Sequence, residues 1–144
     1  MNIHPPDDAP SLPWLGLLAD RLGIRLTEAT PARVVGTMPV DGNTQPYGLL
    51  HGGASCVLAE TLGSIGAATH ARLAHGGSAV GIDLNATYHR AARSGLVTGF
   101  ATALHLGSSI ASYEIVVTDA DGDRICTARL TCALRRAPDS GHGA

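Results

Sequence analysis

The hydrophobic pattern changes period near residue 75. Before it, residues 54–73 (ASCVLAETLGSIGAATHARL) are alanine-rich and proline-free, and their apolar side chains cover most of a helical circumference. This predicts about five turns of helix, buried on nearly all sides. Gly63 and Gly66 weaken such a helix, which predicts close packing against a sheet there. After it, four strand-like segments follow at 78–91, 95–106, 109–119 and 124–135. Arg93-Ser94-Gly95, Gly107-Ser108 and the stretch from Asp119 to Asp123 separate them, and Asp121-Gly122 in the last is a strong hairpin signal.

The earlier third of the chain is less regular. Residues 11–23 predict a short helix, with Ser11 as its cap, Pro13 in its first turn and Gly23 at its end. Residues 24–40 read as a first strand, with Val34, Met38 and Val40 on one face and a break at Gly36. Pro31 and Pro39 suit an edge strand or strand ends. Residues 41–53 are turn-rich and exclude a regular element. The lead-in 1–10 and the tail 137–144 are expected to be loose. The order is short helix, strand, loop, one long helix and four antiparallel strands, an α+β architecture in a single domain of 144 residues. A sheet around one helix still has edges and an outer face, and oligomerisation is a simple way to cover them.

Composition narrows the function classes. Net charge is −2 and no stretch is strongly basic, which argues against nucleic-acid binding. All ten basic residues are arginine, so lysine Schiff-base chemistry is excluded and any side-chain contact to phosphate falls to arginine. Cys56, Cys126 and Cys132 form no CxxC pair. Cys126 and Cys132 would stand about 20 Å apart along one strand, too far to bridge, which points to a reducing compartment. The acidic, proline-rich start has no signal-peptide pattern and no apolar run is long enough to span a bilayer, so a soluble cytoplasmic protein is expected. Neither HExxH nor a Cys/His cluster is present, and no metal is expected; GxSxG, GxGxxG and P-loop motifs are also missing.

Candidate chemistry gathers at two places. A helix starting at or near Gly52 offers free N–H groups and a positive dipole end to a developing oxyanion, although Gly52-Gly53 also suits a plain tight turn. His51 either meets a substrate or holds the loop; Gln45, made extended by Pro46, has an amide that both donates and accepts. Glu60 is the only acidic residue between Asp41 and Asp83 and sits mid-helix among apolar neighbours. A charge on a buried helix is paired or functional, and a structural carboxylate is the competing reading. Ser64, four residues on, either bonds that carboxylate or a ligand or back-bonds to its own helix. Cys56 lacks a local activating partner, and core packing is favoured for it. Gly52 and Glu60 are about 12 Å apart along the helix axis. If both act on one carbonyl, a second subunit must bring them together.

The segment QPYGLLHGGASCVLAETLGSIGA (45–67) resembles the signature of hotdog-fold acyl-CoA thioesterases. The branch it resembles contains 1,4-dihydroxy-2-naphthoyl-CoA hydrolase and the 4-hydroxybenzoyl-CoA thioesterase that carries its carboxylate on the central helix, the PaaI-like branch. TMPVDGNTQP (37–46), VGIDLNATYHRAARSG (80–95), LHLGSS (104–109) and ICTARLTCAL (125–134) extend the similarity over roughly residues 30 to 135. The resemblance implies a five- or six-stranded sheet around the helix and a homodimer with shared active sites, assembling into a homotetramer. It implies hydrolysis of an acyl-CoA, aromatic in that branch, with no cofactor, since CoA is part of the substrate. Glu60 would be nucleophile or general base and the Gly52 N–H would polarise the carbonyl. Gln45, His51 and Gly53 would line the pocket, with Ser64 supporting Glu60. Arg90, Ser108, Ser109 and Arg135 or Arg136 would contact CoA. A non-catalytic acyl-CoA-binding module and a hotdog hydratase or dehydratase are the alternatives. Arg90-Ala91 departs from the Arg-Pro of many relatives, and residues before 30 match nothing.

Overall fold

The computed structural model describes residues 12–139, and the segments 1–11 and 140–144, with the Ser11 cap and most of the tail expected above, lie outside the described residues. Two helices and six strands follow in order: α1 (Leu17–Leu22), β1 (Arg25–Ala29), β2 (Arg33–Pro39), α2 (Gly52–His75), β3 (Ser78–Tyr88), β4 (Leu96–Leu106), β5 (Ile110–Thr118) and β6 (Arg124–Arg135). All strands pair antiparallel in one sheet of order β1-β2-β4-β5-β6-β3, and α2 packs against five of them. This is the α+β arrangement the pattern predicts.

The hydrophobic layer lies between α2 and the inner face of the sheet. Leu58, Ala59, Leu62 and Ala67 of the helix meet Val34, Met38, Val97, Ala101, Tyr113, Ile115, Val117 and Leu130, all of them buried. The two helix glycines serve close packing, as expected. A Cβ on Gly63 would stand 2.6 Å from Leu130 Cδ2, and one on Gly66 would stand 2.7 Å from the Tyr113 ring. Tyr113 in turn reaches past the helix to donate to the Pro31 carbonyl at 2.5 Å.

Three sequence expectations change. The first helix is shorter than 11–23, because Gly16 has φ 91° and cannot continue a helical turn back to Pro13; Gly23 does end it, in the left-handed conformation at φ 74°. The single strand over 24–40 is a hairpin. Pro31 falls in its turn, where the Thr30 N–H and hydroxyl donate to the Arg33 carbonyl, so the chain folds back instead of running on. Finally, α2 is not covered on nearly all sides: Glu60 in its middle and Arg72, Leu73 and Ala74 near its end are exposed.

Edge strand β3 carries a feature that positions the site. Its pairing with β6 shifts between Gly81 and Asp83, leaving Ile82 as an extra residue, a β-bulge. Side chains alternate along a strand, so residues 81 and 88 would face opposite ways without it. With it, Gly81 faces Glu60 and Tyr88 faces Gly52, both toward α2.

Candidate active site

The loop from Asp41 to His51 is fixed at both ends before it reaches the helix. Asn43 Nδ2 donates to the carbonyls of Leu22 and Pro39 at 2.7 and 2.8 Å, and the Asn43 carbonyl accepts from His51 N–H. The Leu50 N–H donates to Ala92, which joins this loop to the segment after β3. His51, extended at φ −66° and ψ 129°, is the N-cap of α2. Its Nδ1 accepts from Gly53 N–H at 2.8 Å, and its carbonyl accepts from Ala54 and Ser55. His51 therefore holds the helix start. Of the first-turn donors, only the Gly52 N–H has no acceptor among the described residues. Gly53 is exposed and its N–H is spent on the cap.

A cavity of about 360 Å³ opens beside that free donor, lined by Gln45, Leu50, Gly52, Ser55, Tyr88, Arg90, Ala92 and Ile125 among others. The side-chain oxygen of Gln45, which lines this cavity, accepts from Tyr47 N–H, and its amide NH₂ has no acceptor among the described residues. Arg90 sits at the rim, half exposed, with Nη1 2.6 Å from Asp123 Oδ2 of the β5–β6 turn. Tyr88 covers the first helical turn: a Cβ on Gly52 would lie 2.8 Å from Cζ of its ring. Its hydroxyl is 2.9 Å from Cys56 Sγ. The hydrogen bond with Cys56 comes first, and partial burial second, in pushing the Tyr88 phenol up to about 12.

Glu60 lies elsewhere. It is exposed in the isolated chain, so the premise of a charge buried on its helix does not hold within one protomer. Its Oε1 stands 2.7 Å from where a Cβ on Gly81 would be, so glycine at that point of the edge strand makes room for the carboxylate. Ser64 makes no hydrogen bond to Glu60 or back to its own helix among the described residues; it lies near the Cys132 thiol of β6. Burial pushes that thiol up, the neighbouring Ser64 hydroxyl opposes the shift, and the nearby Glu60 charge adds to it. Further along the same helix, Ile65, Ala68, Thr69 and Arg72 line a second, open cavity of about 760 Å³, with Trp14, Thr27 and Ala29 on its other side.

The predicted CoA contacts also separate. Ser108 and Ser109 are exposed on the β4–β5 turn, where the Ser109 carbonyl accepts from Leu134 next to Arg135. Arg90 follows His89, whose N–H donates to Ile125 at the other end of β6. Nine residues of strand, about 30 Å, divide them. One chain thus brings Gln45, Gly52 and Arg90 to one cavity; His51 and Gly53 form the helix cap beside it without lining it, and Glu60 and Ser64 lie further along α2 with no hydrogen bond between them. The outer edge of β3, with Val80 and Ile82 49% and 60% exposed, has no neighbouring strand among the described residues.

Sequence reasoning missed Tyr88 and misjudged Cys56, which is partly exposed against the Tyr88 hydroxyl instead of packed in the core. Gly81 inside a strand pattern was the available signal, since an isolated glycine there marks a bulge or a close approach. Among the described residues, no three His, Cys, Asp or Glu side chains gather to hold a metal ion, and no helix is long and apolar enough to cross a membrane.

Comparison with known proteins gives one consistent result. Residues 47–126 match the family model described as the thioesterase superfamily. The proofreading thioesterase EntH of Klebsiella pneumoniae is 50% identical over 121 residues, covering 83% of this chain and 82% of that one. A thioesterase structure from Haemophilus influenzae superposes with a TM-score of 0.79 at 36% identity, over 87% of each chain. A Staphylococcus aureus protein, solved with one glutamate replaced by alanine, superposes at 0.79 with 31% identity over 84% of this chain and all of its own. The same protein, called a thioesterase, has also been solved with one glutamine replaced by alanine.

Proposed function

The chain belongs to the thioesterase superfamily, and we propose that it hydrolyses aromatic acyl-CoA thioesters at a site shared between two subunits. It is a thioester hydrolase, as its relatives are. The observation that carries the finer reading is the Gly52 N–H at the start of α2, the one first-turn donor without an acceptor among the described residues, beside a cavity that Gln45 also lines. Two groups able to donate, one backbone N–H and one amide, line the same cavity, which supports its use for a thioester carbonyl oxygen that gains negative charge. Glu60 is the carboxylate of the reaction. It either attacks the carbonyl carbon, breaking the C–S bond to give an acyl anhydride on Glu60 that water then hydrolyses, or takes a proton from a water that attacks the carbonyl itself; in both cases the CoA thiolate takes up a proton and leaves as the thiol, and the acid is released.

A glutamine and a glutamate are the residues replaced in the Staphylococcus aureus structures, and they stand fifteen positions apart in that chain. Gln45 and Glu60 have the same spacing. This supports the pairing of their roles.

The shared site follows from the free edge of β3. A second copy seated antiparallel along that edge on a two-fold axis sets the Tyr88 end of each β3 beside the Ser78 end of the other. The Gly52 cavity of one subunit then adjoins the Glu60 stretch of its partner. Arg90 of the partner subunit likewise comes toward Ser108, Ser109 and Arg135, which one chain holds about 30 Å from its own Arg90. A paired β3 also covers Val80 and Ile82. Two such dimers assembling through their outer sheet faces give a homotetramer. The acyl group runs from Glu60 along the helix, past Ser64, toward the cavity of Ile65, Ala68 and Trp14, where an indole and an apolar floor suit an aryl ring. CoA enters as part of the substrate and no separate cofactor is required.

A thiol-release assay over aryl-, phenylacetyl-, naphthoyl- and fatty-acyl-CoA tests this reading. Aryl esters should give the highest kcat/KM, and Glu60→Ala should lower turnover about 10²- to 10⁴-fold while CoA-ester binding persists. Near-wild-type hydrolysis by Glu60→Ala on every accepted ester would sink the mechanism.

A further inference from the structure

We propose that Tyr88 is a positioning residue for the Gly52 N–H and that Cys56 fixes it there. This rests on the reading of Gly52 as donor to the thioester carbonyl. The Tyr88 ring is in contact with the backbone of the first helical turn, since a Cβ on Gly52 would meet Cζ at 2.8 Å and Cε2 at 3.0 Å. Its hydroxyl is 2.9 Å from Cys56 Sγ, one turn further along the same helix. The ring thus spans the turn and is tied at its far end to the element it covers. It also lines the cavity that holds Gln45 and Gly52. The bulge at Ile82 is what turns Tyr88 inward, so the contact is built into the pairing of β3 with β6.

A ring in this place acts in two ways. It keeps water from one side of the Gly52 N–H, and it confines a carbonyl oxygen to the other. Both effects grow with charge on the oxygen, so their loss falls on kcat more than on KM. The phenol, its pKa pushed up to about 12 by the Cys56 hydrogen bond and burial, stays protonated at neutral pH and keeps its hydrogen bond with Cys56. The thiol–phenol contact is one hydrogen bond, so removing either end removes the same interaction.

The test compares Tyr88→Phe, Cys56→Ala, Cys56→Ser and the double variant Tyr88→Phe/Cys56→Ala in the full-length protein, on a CoA ester that the wild type hydrolyses. Each of Tyr88→Phe and Cys56→Ala should lower kcat about fivefold with KM nearly unchanged. Cys56→Ser, which keeps a partner for the phenol, should recover most of the loss. The double variant should be no slower than either single one, because coupled partners are not additive. The pH profile of kcat should not move. Wild-type kcat in both single variants, multiplying effects in the double variant, a loss confined to KM, or a displaced pH profile in Tyr88→Phe would each overturn the proposal. Glu60→Ala is measured alongside. If it retains activity, the underlying reading falls; if it is inactive while Tyr88→Phe is indifferent, only the role of Tyr88 falls.

Discussion

At the start of α2 every first-turn donor but one is already bonded, whereas two turns later the Glu60 carboxylate accepts no hydrogen bond from any described residue. The first region is finished within one chain. His51 caps it, Asn43 ties its loop to Leu22 and Pro39, and Tyr88 closes its side. The second is unfinished. Glu60 lies open beside an edge strand that has no neighbouring strand on its outer side among the described residues. A carboxylate facing water is an ordinary surface group, and a shielded one near a thioester is a reagent. The contrast teaches that one region supplies a preformed donor and the other waits for a surface to enclose it.

Disrupting the enclosure should have the largest effect. Charges placed on the outer edge, as in Val80→Asp with Ile82→Asp, should give monomers in sedimentation and lower hydrolysis about 10³-fold, as far as loss of Glu60 itself. A fully active monomer would remove the reason for the contrast. Next comes the preformed donor. Gly52→Pro deletes the N–H at the first helical position, where proline is well tolerated and where the extended His51 already has the conformation that proline demands. The added ring displaces the Tyr88 ring, so the variant also disturbs the Tyr88–Cys56 contact, whose own loss costs only about fivefold in kcat. It should lower kcat about 10²- to 10³-fold with the helix content unchanged by circular dichroism. The smallest effect concerns stability of the finished region. Cys126 lies opposite Tyr88, and burial, then the neighbouring Cys56, pushes its thiol from 9.0 to about 11. A raised folded pKa stabilises the protein below 9.0, and that stabilisation is lost as pH rises through about 11. Urea midpoints between pH 8 and about 11 should therefore fall more steeply for the wild type than for Cys126→Ala.

The fold was largely legible because its signals are local. The alanine-rich, proline-free run announced α2, the Asp121-Gly122 turn announced the last hairpin, and Gly63 and Gly66 announced the close helix–sheet contact. The hairpin of β1 and β2 was read as one strand because Val34, Met38 and Val40 keep period two, while the evidence of the turn, Pro31, also fits a strand end. The candidate site was legible in its residues and not in their surroundings. Exposure of Glu60 depends on where the sheet stops, which no short window records. Tyr88 was missed because a single extra residue at Ile82 reverses which way it faces. Helix spacing sets Ser64 toward Glu60, whereas no hydrogen bond joins them among the described residues and Ser64 lies near the Cys132 thiol of β6. Long-range contacts of this kind are set by register.

The central claim is that Glu60 of one subunit works with the Gln45 and Gly52 end of the other. It is tested most directly by co-expressing two differently tagged inactive chains, one carrying Glu60→Ala and the other Gln45→Ala with Gly52→Pro, and assaying the purified mixed dimer. In a two-fold dimer with shared sites, one of the two sites in each mixed dimer regains a complete set, so activity should return to about half that of the wild-type dimer. A mixed dimer as inactive as its two parents would contradict the account and assign the whole reaction to a single chain.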